Sequence, residues 1–167
     1  MEIILKIGAD PTRWLTEGAD FGEMAAELNQ SGPVTVAVAG PLQGTLVLSV
    51  PRAGTVALVP PMPGEGSHPS DKPPPVQPHV PVSPQAQVPQ GPALYLPTVT
   101  GAAQIPGYAL PSNTDLGALQ QGIITAMTDG STLTVPLGMS VASPGGMVML
   151  NGASLAFVVI CPAAGQG

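Results

Sequence analysis

The side chains able to do chemistry in this chain are few and scattered. His68 and His79 supply its imidazoles and Cys161 its single thiol. A serine or cysteine nucleophile needs a base held in place by packing, yet both histidines fall in a proline-rich stretch with almost no large apolar residues around them. They read as solvated spacers. One cysteine closes no intrachain disulfide and makes no metal site by itself; Cys161 ends an apolar run and reads as a small buried residue. Acidic groups gather at Glu17, Asp20, Glu23 and Glu27. A two-carboxylate acid/base site needs its acids at a fixed separation across a cleft, whereas this cluster suits a helix start, where carboxylates cap free N–H groups and offset the dipole. Ser143-Pro-Gly-Gly146 lacks the lysine and following helix of a phosphate cradle and reads as a hairpin loop. Met139, Met147 and Met149 carry thioethers that suit a soft metal. Met147 and Met149, however, stand two apart in a strand pattern and share one face with apolar neighbours, which fits core or interface packing. These residues predict a protein that is not an enzyme and takes no cofactor or metal.

The elements that must position these residues follow from apolar spacing. Residues 2–7 alternate and predict a short strand, closed by a turn at Gly8-Ala9-Asp10-Pro11, with Trp14 and Leu15 as an apolar anchor after it. Phe21, Met24, Ala25 and Leu28 recur at helical spacing, with Asp20 as N-cap and Glu23 three residues on. Ser31-Gly32-Pro33 ends that helix. Three strand-type runs come next, at 34–39, 45–50 and 55–59, separated by Gly/Pro turns.

The C-terminal part repeats this order. Asp115-Leu-Gly-Ala-Leu119 echoes Asp20-Phe-Gly-Glu-Met24, and the second helix runs on through Ile123, Ile124 and Met127 to a stop at Asp129-Gly130, about one turn longer than the first. Strands are expected at 132–137, 146–150 and 155–161. They align Val34-Thr-Val with Leu133-Thr-Val, Gly44-Thr-Leu-Val-Leu-Ser with Gly146-Met-Val-Met-Leu-Asn, and Val59-Pro60 with Cys161-Pro162. Upstream, 10–15 resembles 105–110, and 93–99 supplies a first strand. The expected fold is α+β and β-rich, with two duplicated β-α-β-β-β units at 1–60 and 93–167, each near the lower size limit for independent stability.

Between the units, residues 61–92 hold eleven prolines, Pro73, Pro74 and Pro75 among them. Proline removes backbone donors and fixes φ, so this stretch can neither enter a sheet interior nor run as a helix. It reads as an extended linker, reaching up to ~100 Å at about 3.1 Å per residue. Proline runs of this kind also suit aromatic-lined grooves on partner proteins.

Composition narrows the partners. Charged residues make up 8% of the chain, against about 25% in an ordinary domain. The surface must therefore be largely neutral. Ten acidic groups face four basic ones, Lys6, Arg13, Arg52 and Lys72, which form no stripe. Nucleic acid is a poor partner, because binding its backbone takes clustered cations. The N-terminus lacks the basic and long apolar regions of a secretory signal, and no run approaches the ~18 apolar residues of a membrane span. Valine-, leucine- and methionine-rich strands with few charged gatekeepers leave sheet edges open to pairing. That points to protein partners or homo-oligomers. The candidate protein-binding residues are Trp14, Pro73, Pro74, Pro75, Met147 and Met149, with Trp14 able to serve either as an interface anchor or as the closure of a small core.

In overall character the chain resembles bacteriophage virion accessory proteins of the head-decoration or minor capsid type, which join small β-rich units with extended arms over a shell. The resemblance implies a non-enzymatic structural protein of the virion, assembled in the host cytoplasm. It implies docking on capsid or other virion subunits, with the linker bridging between two sites. Two linked interfaces raise each other's effective concentration. A cytoplasmic two-domain adaptor that binds partners through its proline-rich segment is the alternative.

Overall fold

The computed structural model describes residues 1–6, 11–16, 18, 20–40, 42–60, 91–96, 107–140 and 143–163. Ten strands and two helices follow in order: β1 (Glu2–Lys6), β2 (Pro11–Thr16), α1 (Phe21–Leu28), β3 (Val34–Gly40), β4 (Gly44–Leu48), β5 (Thr55–Val59), β6 (Ala93–Tyr95), β7 (Gly107–Ala109), α2 (Leu116–Asp129), β8 (Thr132–Ser140), β9 (Ser143–Asn151) and β10 (Phe157–Cys161). A single 3-10 turn, Val50–Arg52, sits between β4 and β5. The expected α+β, β-rich class describes this architecture.

Both helices start where the cap residues place them. Asp20 accepts hydrogen bonds from the Gly22 and Glu23 N–H groups at 2.8 and 3.1 Å, and Asp115 accepts one from Ala118 at 2.9 Å. These bonds satisfy donors that an uncapped first turn leaves free. Gly130 ends α2 in the left-handed region, at φ 69°, where a residue without Cβ meets no steric penalty. With 14 residues against 8, α2 exceeds α1 by nearly two turns, more than the one turn expected.

Eight strands form one antiparallel sheet in the order β5-β1-β2-β3-β4-β10-β6-β7. β8 and β9 pair as a hairpin beside it, with β8 alongside β7. The segment Ser143-Pro-Gly-Gly146, expected as a hairpin loop, instead opens β9, although Gly145 and Gly146 there take φ of 88° and 137°. Two strands, β2 and β7, correct the expected β-α-β-β-β order, because each adds a second strand ahead of its helix. Trp14 and Leu15 belong to β2, where they oppose Ile3 and Glu2 of β1.

The centre of the sheet also corrects the expectation of two units able to occupy separated sites. β4 pairs directly with β10, matching Leu48 with Phe157, Val47 with Val158, Leu46 with Val159 and Thr45 with Ile160. The Ser49 N–H continues the ladder to the Ala156 carbonyl at 2.9 Å. Beyond it, the Arg52 guanidinium donates to the Gly152 carbonyl at 2.6 Å, across 100 residues of sequence. The residues on either side of the proline-rich segment thus build one sheet.

Alternation on these strands splits the interior into two cores. Leu46 and Leu48 of β4, with Phe157, Val159 and Cys161 of β10, face the first core, among Ile3, Leu5, Trp14, Met24, Val34, Val36 and Val38. Val47, Val158 and Ile160 point through the opposite face into the second core, under Ile123 and Met127 of α2 and against Val135 and Leu150 of the hairpin. β10 is therefore buried along its whole length, as expected for a strand covered on both faces.

Candidate interaction surface

Trp14, Cys161 and the acids of α1 lie among the described residues. Trp14 is fully buried, its ring edge-on to Phe157 at 6.1 Å and 68°, and its indole N–H donates to the Thr12 hydroxyl at 3.2 Å. That placement corrects its reading as an interface anchor, since no partner can reach it. Cys161 lies in the same core, where burial pushes its thiol up to about 11. Its neighbour Tyr95 is raised as well, first by burial and then by the charge Cys161 would carry. At neutral pH the cysteine is a protonated thiol and no nucleophile. Asp20, Glu23 and Glu27 lie exposed along α1, spread out to solvent as a capped helix face should be.

Among the described residues, no group of His, Cys, Asp and Glu could hold a metal ion, and no helix is long and apolar enough to cross a membrane. His68, His79, Pro73, Pro74, Pro75 and the linker over 61–90 lie outside the described residues, as does Glu17. Met139 falls on β8, with its side chain likewise outside them.

Met147 and Met149 are not core residues. They are 67% and 71% exposed. β9 alternates, with Val148 and Leu150 turned into the second core while the two methionines point away. Across the hairpin they stand opposite Pro136 and Thr134, so the outer face of β8–β9 is uncharged and apolar to weakly polar. The free flank of β9 completes this surface, because β9 pairs only with β8 among the described strands.

A second open edge lies at the far end of the sheet. Among the described strands β5 pairs only with β1; Val56 and Leu58 pack on the first core while Thr55, Ala57 and Val59 face outward. On that outer face Glu2 sits between Val59 and Leu15, its carboxylate 3.4 Å from the Arg13 guanidinium. Phe21, at the start of α1, is 45% exposed as well. The sequence shows β5 as a strand but gives no sign that it ends a sheet, and Phe21 shares helical spacing with the buried Met24, which hides its exposure. An apolar edge strand with no charge of its own is a template for another strand.

Comparison with known protein families, characterised proteins and solved structures finds no match to this chain.

Proposed function

We propose that this chain is a non-enzymatic structural protein of a bacteriophage particle, a capsid decoration or minor virion subunit that docks on other protein subunits. The observation carrying this reading is that, among the described strands, two edges stand open, β5 at one end of the eight-stranded sheet and β9 on the hairpin packed beside it, each bearing uncharged apolar residues. A free monomer gains nothing from such edges, while a subunit that is always covered in an assembly loses nothing by keeping them. The sheet, with the hairpin packed on it through the second core, carries both edges, so bivalent attachment acts through one body with two edges. Residues 61–92 join the two sets of elements in sequence.

In this reading the chain is an internal duplication, and the pairing registers support it. The β3–β4 pairs Val34–Leu48, Val36–Leu46 and Val38–Gly44 recur on the β8–β9 hairpin as Leu133–Leu150, Val135–Val148 and Leu137–Gly146. β1 lies between β2 and β5, as β6 lies between β7 and β10. The inward residues Val56 and Leu58 of β5 correspond to Val158 and Ile160 of β10.

Density-gradient fractionation of a phage lysate, with this chain followed by immunoblot, tests the function. It is expected to peak with intact particles and to stay there after washing. A chain left in the soluble fraction while the major capsid subunit sediments would refute the reading.

A further inference from the structure

We infer that the β9 edge receives the β5 edge of a second copy of this chain, in the same register that joins β4 to β10 within one copy. The inference rests on the duplication reading, which makes the β4–β10 junction a template. There the fourth strand of one unit pairs with the fifth strand of the other. The fourth strand of the second unit is β9 and the fifth strand of the first is β5, and among the described strands both are left open on one flank.

Residues that are covered at the internal junction have counterparts that are uncovered at the open edges. Val47 is fully buried beneath α2, while its counterpart Met149 is 71% exposed; Thr45 is half-buried and its counterpart Met147 is 67% exposed. Gly44 lies so close to the Ile160 carbonyl that a methyl group there would overlap it, whereas its counterpart Gly146 has nothing within 4 Å. Leu116 at the start of α2 packs on the second core, while Phe21 at the start of α1 is 45% exposed. Cys161 of β10 closes the first core, and its counterpart Val59 of β5 is 38% exposed. Each of these differences follows if a strand is missing from the flank of β9 and the same strand stands free on β5.

Carrying the register across places Leu150, Met149, Val148 and Met147 of one copy opposite Thr55, Val56, Ala57 and Leu58 of the other. The methionines then come under the Val56/Leu58 face and α1 of the second copy, and Ala57 and Val59 extend the second core of the first. Glu2 departs from the template, standing where the other half has Ala93, and its ion pair with Arg13 leaves it neutralised at the rim. The contact joins different edges of the two copies, so copies close into a ring, of which a reciprocal pair is the smallest, or extend as a filament.

Purified full-length protein alone tests this, so the outcome is independent of whether the chain binds phage particles. Sedimentation velocity should show self-association that grows with concentration, and Met149→Glu or Met147→Glu should weaken it about tenfold or more with an unchanged thermal melt, since both side chains are exposed. In a Cys161→Ala background, a Val148→Cys chain mixed with an Ala57→Cys chain should form a covalent dimer on oxidation, because directly opposed strand residues lie about 4.5–5.5 Å apart at Cα. Val148→Cys with Val56→Cys, one position off and on opposite faces, should not. A monomer at all concentrations, association untouched by both glutamate variants, or an internal crosslink in one chain carrying both cysteines 57 and 148 would overturn the inference.

Discussion

Phe157→Ala offers a sharp perturbation, because the phenylalanine belongs to the C-terminal set of elements and its ring packs on Trp14 of the N-terminal set. The ring is almost wholly buried in the first core. Deleting a buried phenylalanine to alanine costs about 3–5 kcal/mol, from lost transfer free energy and the cavity left behind. The edge-on contact with Trp14 contributes roughly 0.5–1.5 kcal/mol of this as a pairwise term. Against a total stability of about 5–15 kcal/mol, that is a large share. At a urea slope of about 2 kcal/mol per M the midpoint should fall by roughly 1.5–2.5 M. Trp14 is the sole tryptophan, so its fluorescence reports the N-terminal elements alone. The expectation is one fluorescence transition, displaced by the full amount and coincident with the circular-dichroism transition. A Trp14 transition unmoved by Phe157→Ala, with a second transition seen only by circular dichroism, would refute the shared core. A double-mutant cycle with Trp14→Leu should return a coupling of about 0.5–1.5 kcal/mol.

Four other substitutions probe local features. Asp115→Ala and Asp20→Ala should each cost about 0.5–2 kcal/mol in chemical denaturation through loss of the N-cap, with mutation to asparagine largely tolerated. Arg52→Ala, which removes the 2.6 Å donor to the Gly152 carbonyl, should lower stability by roughly 1.5–3 kcal/mol, the range for a hydrogen bond to a charged group. For Cys161 the folded-state value lies above the ordinary value of 9.0, at about 11. The unfolded chain then releases the thiol proton first as pH rises. Stability should be intact below pH ~9 and fall as pH approaches ~11, a loss that Cys161→Ala reduces when urea midpoints are compared across that window, the share from the buried Tyr95 hydroxyl remaining.

What was legible in the sequence was what local physics controls. Asp20 and Asp115 announce their helices because a cap acts within three residues, and the runs that became β3, β4 and β5 alternate between Gly/Pro turns. β2 escaped because Pro11 and the turn-type residues Gly8-Ala9-Asp10 before it hide its start in the sequence, and β7 because three residues, Gly107–Ala109, are too few to show a period. The join between β4 and β10 was out of reach. Both strands are apolar on both faces, and nothing near either one names a partner so distant in sequence. The same ambiguity hid the orientation of β9. Met147 and Met149 alternate with Val148 and Leu150, so the pattern shows two apolar faces without telling which meets the core. Trp14 was ambiguous for a related reason, because a lone large aromatic fits a core or an interface equally until the surrounding strands are placed.

The elements before and after the proline-rich segment form one body, joined by the β4–β10 ladder and the first core. A protease site inserted within 61–90 and cleaved to completion tests this without altering any described residue. The two fragments should elute together on size exclusion as a one-to-one complex and unfold in a single transition. Fragments that separate while each stays folded would contradict it.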